Sequence, residues 1–469
     1  MQRSARFAQG AFPAVVIAGL LAGAACVTDK VTGEKKFAVL QWSNEEEQKI
    51  GDESAPNFEQ QFGGAFPDQT DQQYLGSVVK EMASHSVRKD DFDYKFEILN
   101  SSEPNAFALP GGYVYITRGL LEHLESEGEF VGVLGHELGH VEHQHSMLQQ
   151  NKTLLATGAL AVLGIGENLL QKDPEQPDTV TALASYGAPL ALLHFSREQE
   201  SEADERGIFF AHEMGYDPRE MKKTFEYFQR LEKQSGSGTP SFLRDHPTNE
   251  SRLADIDTEI ARTCPEVLSK RPDEFRAPPG PDGRFVKLVK ALRAKSAAYA
   301  KSDQARQILA RKGSDAKSLA QAAALADEAR RLAPDEPLFE ITAGEVAYAR
   351  GVGDRGRAHF EKAIALRSAA GGARGDWKPF FYLGALDVDS NRGASAAASL
   401  AKSTALFPDN PIAHYYLGRA HELDGRRADA TKEYERVTQL APQDSALAQK
   451  SNERLAALNS SPAKAPPKR

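Results

Sequence analysis

Apolar and polar positions divide the chain into stretches of different character. Ala11 to Ala22 is a nearly unbroken apolar run behind Arg3 and Arg6. It is too short for a membrane-spanning helix, which takes about 20 residues, and has the layout of an export signal. Residues 27–45 are polar with a Thr32-Gly33 turn and read as a surface segment. From Ser43, the run Ser-Asn-Glu-Glu-Glu predicts a helix start with an acidic first turn. Tyr94, Phe96 and Ile98 alternate with Lys95 and Glu97, the period of a half-buried strand. Asn105 to Leu109 and Tyr113 to Thr117 flank Pro110-Gly111-Gly112, where Pro then Gly suits a type II turn, so a hairpin is predicted. Long helices are expected from about Leu120 to Met147 and from Leu183 to Met214. Between them, residues 153–165 read as a buried apolar helix or, alternatively, a membrane-dipping or substrate-facing segment, and 171–181 as a polar loop. Residues 270–284, with Pro272, Pro278, Pro279 and Pro281, read as an interdomain linker.

The C-terminal third repeats. Leu383-Gly384 recurs as Leu417-Gly418, Ala396 as Ala430, Leu400 as Tyr434 and Pro408 as Pro442, each 34 residues later. This pattern resembles the tetratricopeptide repeat. Gly and Ala let two helices approach, and Pro stops the second. An earlier unit carries Gly344, Phe360 and Ala363, lengthened by a Gly/Ala-rich insert at 369–376, and a degenerate unit ends at Pro334. Four such units suffice for a solenoid with a concave face. The tail from Ser460 is expected to be disordered.

Composition narrows the function. A chain of 469 residues implies several domains. A net charge of −9 argues against a nucleic-acid binder. A mean hydropathy of −0.49 excludes a polytopic membrane protein. Two cysteines exclude a disulfide-rich scaffold. Cys26 follows Ala22-Gly23-Ala24-Ala25, which resembles a bacterial lipoprotein signal, although Gly23 stands where an apolar residue is usual. Cleavage after Ala24 by an ordinary signal peptidase is the alternative. With Cys26 lipidated and Val27 after it, the expected location is the periplasmic face of the outer membrane. Cys264, without ligand-like spacing around it, reads as a lone buried thiol.

The strongest chemical signal is Gly135-His136-Glu137-Leu138-Gly139-His140. Two histidines four apart on a helix share a face and can bind one Zn²⁺, while the adjacent Glu137 can act as general base. A catalytic zinc needs a third ligand. His143 and Ser146 rule out the metzincin pattern; a Glu on a later helix is the alternative, and Glu198, Glu200 and Glu202 are all candidates by spacing. His143 reads as a surface residue or a partner behind the site, and His145 falls off the ligand face.

The H-E-x-x-H helix, the Ser-Arg-x-x-Glu-x-Glu-Ala-Asp segment at 196–204 and the Asn105-Ala106 hairpin with Gly111-Gly112 together resemble the HtpX/BepA-like zinc metallopeptidases. These are gluzincins related to the prenyl-protein (CAAX) proteases. The resemblance spans roughly residues 43–262, and with the repeats it follows the BepA-like layout. It implies His136, His140 and Glu200 as ligands of one zinc per chain, with Asp204 hydrogen-bonding a ligand histidine and Arg197 in a structural ion pair. It also implies that His246, followed by Pro247 and Arg252, can take the fourth zinc position and hold the site closed. Alternatively His246 or Arg252 stabilises the oxyanion.

The expected fold is mainly α. A signal peptide at 1–25 and a surface segment at 26–42 precede an α+β zincin-like domain with a small β-hairpin or sheet at 43–265. A linker and connecting helix at 266–295 lead to an α-solenoid of tetratricopeptide repeats at 296–457, with a tail at 458–469. The expected function is a zinc endopeptidase in quality control or assembly of envelope proteins. Its substrates would be unfolded or misassembled envelope proteins, its repeats would dock on outer-membrane assembly machinery, and it would not bind nucleic acid. A non-proteolytic chaperone or scaffold lipoprotein is the competing expectation.

Overall fold

A computed structural model of the chain describes residues 25–38, 41–151, 195–235, 242, 244, 246, 250–276, 283–311, 313–371 and 376–460. The export signal up to residue 24, the stretches 153–165 and 171–181, the start of the helix expected from Leu183 and the tail beyond Ser460 lie outside them. No described helix is long and apolar enough to cross a membrane. The fold is mainly α, with small sheets in the first half and paired helices in the second.

The chain divides into two compact units. The first is drawn from residues up to Ala55, Gln72–Ile98 and Glu103–Val289, and the second from Pro56–Asp71, Leu99–Ser102 and Lys290 onward. The first unit opens with an antiparallel hairpin of β1 (Ala25–Thr28) and β2 (Lys35–Ala38), paired from Ala25↔Ala38 to Thr28↔Lys35. The polarity of residues 27–45 suggests only a surface segment here, although the Thr32-Gly33 turn lies between the two strands. Helix α1 (Asn44–Gln61) starts as expected, Ser43 and Glu46 each accepting the other's backbone N–H. After α2 (Gln69–Ser84) come β3 (Lys95–Leu99), β4 (Ala106–Leu109) and β5 (Tyr113–Thr117). They form one sheet in the order β3-β5-β4, so β4 is an edge strand. Gly111 (φ 79°) and Gly112 (φ 80°) make the β4–β5 turn in the left-handed region that glycine tolerates.

The single helix expected over Leu120 to Met147 is broken twice. A one-turn helix, Arg118–Leu121, ends before α3 (Glu127–Glu142), whose N-terminus is capped by the Ser126 hydroxyl accepting from Glu129 N. The second break follows at Gln144, whose φ of 54° leaves the right-handed helix; residues 145–151 then turn helical again. Helix α4 (Arg197–Glu213) carries a capping box between Ser196 and Gln199. Helices α5 (Met221–Ser235) and α6 (Glu250–Thr263) complete the unit. The proline-rich stretch is not all linker: Val267 and Phe275 pack with Ile208, Met221, Ile256 and Cys264 in an apolar cluster.

All of α3 from Gly128 to Glu142 is buried. Its first turn holds Glu129, 2% exposed, near the buried Glu220. Burial pushes the Glu129 carboxyl up to about 7, against the Glu125 backbone N–H and the Lys223 ammonium, which lower it. A raised acid in the folded state favours folding below its ordinary pKa of 4.5, and that contribution is lost as pH rises through about 7. Glu129→Gln is therefore expected to stabilise the chain at pH 8, by at most about 3 kcal/mol, with the gain fading toward pH 5. Thermal melts at both pH values check this; an equal gain at both would contradict it.

The second unit continues from α7 (Arg284–Ala310) and α8 (Ala316–Leu332) into three helix pairs. These are α9 (Pro337–Ala349) with α10 (Gly353–Ala369), α11 (Trp377–Asp389) with α12 (Gly393–Leu406), and α13 (Pro411–Leu423) with α14 (Arg427–Leu440). Helix α15 (Ala446–Ser460) ends the described chain. In each pair a glycine of the first helix faces a large side chain of the second: Gly344 on Phe360, Gly384 on Leu400, Gly418 on Tyr434. A Cβ on any of them would lie within 2.8 Å of that side chain.

Candidate metal centre

The site begins where α3 and α4 cross. A Cβ added at Gly135 would lie 3.1 Å from Gly207 Cα, and one at Gly139 would lie 2.9 Å from Ala203 Cα. Only glycine allows this approach, and it brings the first turn of α4 against the two histidines of α3.

His136 Nε2 and His140 Nε2 lie 3.1 Å apart. Glu200 is 3.6 Å from each. His246 Nδ1 lies 3.3 Å from His136 Nε2 and 3.0 Å from Glu200 Oε1. All four residues are buried. A tetrahedron with ligands about 2.0–2.1 Å from a zinc has edges of about 3.3–3.4 Å, and the separations above straddle that value. Two histidines, a carboxylate and a third imidazole are also the nitrogen and oxygen donors zinc takes. The residues fit a zinc ion.

The surroundings direct bare nitrogen lone pairs at this point. His136 Nδ1 donates to Asp204 Oδ1 at 2.8 Å, which turns its Nε2 toward the other donors. Burial raises the Asp204 carboxyl, but the Arg252 guanidinium and His136 outweigh it and bring it down to about 2. Arg252 holds both carboxylates: Nε and Nη2 donate to Asp204, and Nη1 lies 2.6 Å from Glu200 Oε2. Three of its nitrogens are thereby engaged by carboxylates, and the oxyanion alternative loses support for Arg252. Burial and the neighbouring cationic groups keep His140 well below the ordinary histidine range, hence neutral. Burial alone would lower His246 too, but the carboxylates of Glu200 and Glu137 raise it to about 9. Without a metal, this ring is therefore a cation between two carboxylates. Glu137 Oε1 is 3.7 Å from His246 Nε2.

The structure thus gathers His136, Glu137, His140, Glu200, Asp204 and His246 at one place. It also separates the three candidate glutamates: Glu198 is exposed, and Glu202 turns away toward Lys36 and His145. Arg197 is exposed, and Cys264 is a buried free thiol. Sequence reasoning missed the residues packed behind His140. His145 Nδ1 lies 2.9 Å from His140 Nδ1, and the Phe195 ring stacks on His140 at 4.0 Å. His143 is buried with Nδ1 2.6 Å from Asp29 Oδ2. Only the break at Gln144 turns His145 back toward His140, and no hydrophobic period announces it.

Residues 69–260 match the family described as Peptidase family M48. The match covers about two fifths of the chain. The matched range contains both ligand helices and His246. Among curated relatives, the beta-barrel assembly-enhancing protease of Escherichia coli O157:H7 is 29% identical over 212 residues, 44% of this chain and 42% of that protein. The protein of the same name from Yersinia pestis is 25% identical over 79% of this chain and 69% of its own length. The mitochondrial metalloendopeptidase OMA1 of Arabidopsis thaliana is 32% identical over 39% of this chain and 35% of its own. The chain thus spans less than half the length of the Escherichia coli relative. Within the matched range, the motif residues divide the site between them. His136 and His140 face Glu200, and Asp204 orients His136.

Proposed function

We propose that the chain is a zinc-dependent endopeptidase of the cell envelope, acting in assembly or quality control of outer-membrane and periplasmic proteins. The observation that carries the reading is the buried, converging set of His136, His140, Glu200 and His246 with the Glu137 carboxyl beside it. Zn²⁺ held there supplies a Lewis acid that polarises a carbonyl and acidifies water. Glu137 accepts the proton of the attacking water and returns it to the leaving amine. Edge strand β4 can bind an extended substrate by strand addition, which reads backbone rather than sequence and suits unfolded proteins. The solenoid would hold a partner or substrate. The export-like N-terminus and exposed Cys26 support a lipid-anchored place at the outer membrane, and the name of the Escherichia coli relative supports a role in β-barrel assembly.

A second reading, a non-proteolytic scaffold, draws on His246 filling the fourth corner. The first reading makes His246 a removable plug instead: hydrolysis requires it to yield that corner to water. His246→Ala is expected to keep zinc on three ligands and to raise cleavage of a small peptide several-fold. Zinc content and cleavage rates measured side by side check this. Unchanged rates on both a peptide and a misfolded protein, with zinc retained, would remove the plug role.

A further inference from the structure

Behind His140, on the side away from the four donors, lies a second buried polar cluster that the proposed chemistry does not use. His145 Nδ1 meets His140 Nδ1 at 2.9 Å, and His145 Nε2 meets Glu202 Oε2 at 2.8 Å. Lys36 Nζ, from β2, donates to Glu202 Oε1 at 2.7 Å and lies 3.0 Å from Asp29 Oδ2. Asp29, from the β1–β2 turn, also accepts from His143 Nδ1 at 2.6 Å. The rings of His143 and His145 stack at 5.2 Å, 9° from parallel.

This arrangement fixes where the protons sit. Glu202 accepts, so His145 carries its proton on Nε2 and offers a lone pair at Nδ1. His140 Nδ1 faces that lone pair and must therefore donate. The remaining nitrogen, His140 Nε2, is left bare, and it is the atom that faces His136 and Glu200. A ligand histidine needs its far N–H held in this way, and a carboxylate or carbonyl usually does it. Here an imidazole does, with the carboxylate one ring further back.

We propose that His145 is the positioning residue for the zinc ligand His140, and that the N-terminal hairpin, through Lys36 and Asp29, locks the His145–Glu202 pair in place. The hairpin that begins beside Cys26 is then a working part of the metal centre. His143, His145 and Glu202 alone converge enough to hold a cation of their own. The Lys36 ammonium, bonded to both carboxylates, already supplies that positive charge, so the cluster acts as a brace.

The inference rests on the zinc reading above, and its test separates the two. Zinc dissociation constants, from chelator competition, and the visible spectrum of the cobalt-substituted full-length chain are measured for wild type, His140→Ala, His145→Phe, Lys36→Met and Lys36→Arg. Wild type should bind zinc at the four-donor site and His140→Ala should lose that zinc; failure of either overturns the zinc reading, and the brace with it. His145→Phe and Lys36→Met should weaken zinc by roughly 10–100-fold and shift the cobalt bands, with circular dichroism unchanged. Lys36→Arg, which keeps the cation, should stay near wild type. If His145→Phe does not fold, Glu202→Ala makes the same test from the other end of the bond. Wild-type affinity and an unshifted cobalt spectrum in the folded variants would overturn the brace alone. So would a second zinc in wild type that His145→Phe abolishes, because the cluster would then be a metal site.

Discussion

Glu137→Gln is expected to abolish proteolysis while leaving zinc in place. The substitution keeps the size of a side chain that is 2% exposed, so packing around α3 is preserved. It removes the one function Glu137 has in the proposed reaction, taking a proton from water and giving it to the departing amine. Loss of a general acid–base group costs roughly 10²–10⁴-fold in rate, and the fall should appear in kcat. The check is casein cleavage and zinc content on the same preparation. Cleavage within a few-fold of wild type would mean that another group moves the proton.

Gly139→Val should have the second large effect, through packing rather than chemistry. The added Cβ would meet Ala203 Cα and Arg206 Cβ at 2.9 Å and Ala203 O at 3.1 Å. Two of these are backbone atoms, which cannot swing aside, so α3 and α4 must separate. Overpacking of this kind costs about 1–3 kcal/mol. Glu200 lies one turn before Ala203 and would be carried away from His136 and His140. Zinc affinity should fall about 100-fold or more, with a lower melting temperature, whereas substituting the exposed Glu198 should change neither. If Gly139→Val bound zinc as wild type does, the close crossing would not be what places Glu200.

Much of the fold and the site is legible in the sequence because its signals are local. Two histidines four residues apart declare a shared helix face. The repeats declare themselves through a glycine and a large side chain sixteen positions later, as at Gly384 and Leu400. The third ligand is less legible. Spacing leaves Glu198, Glu200 and Glu202 nearly equal, and only the family resemblance singles out Glu200. The structure separates them by rotation about α4: one faces solvent, one faces the histidines, and one faces Lys36.

The elements that the sequence hides depend on distant partners. The β1–β2 hairpin is short and lysine-bearing, with no clear alternation. It gains its place by inserting Asp29 and Lys36 beside His143 and Glu202, more than a hundred residues away. The break after α3 falls on Gln144, a residue with no turn signature. Its left-handed backbone goes with a side-chain hydrogen bond to Glu47 on α1. The prolines from Pro272 to Pro281 suggest only a linker, whereas Phe275 among them is anchored in the core of the first unit.

In the proposed enzyme, α3, α4 and His246 together hold one zinc through nitrogen and oxygen donors alone. Zinc-edge X-ray absorption on the purified full-length chain tests it most directly. The expected result is one zinc per chain, four-coordinate, with light-atom ligands at about 2.0–2.1 Å, strong imidazole scattering and no sulfur. A preparation supplied with zinc that holds none, or a first shell containing sulfur or lacking imidazole, would contradict it.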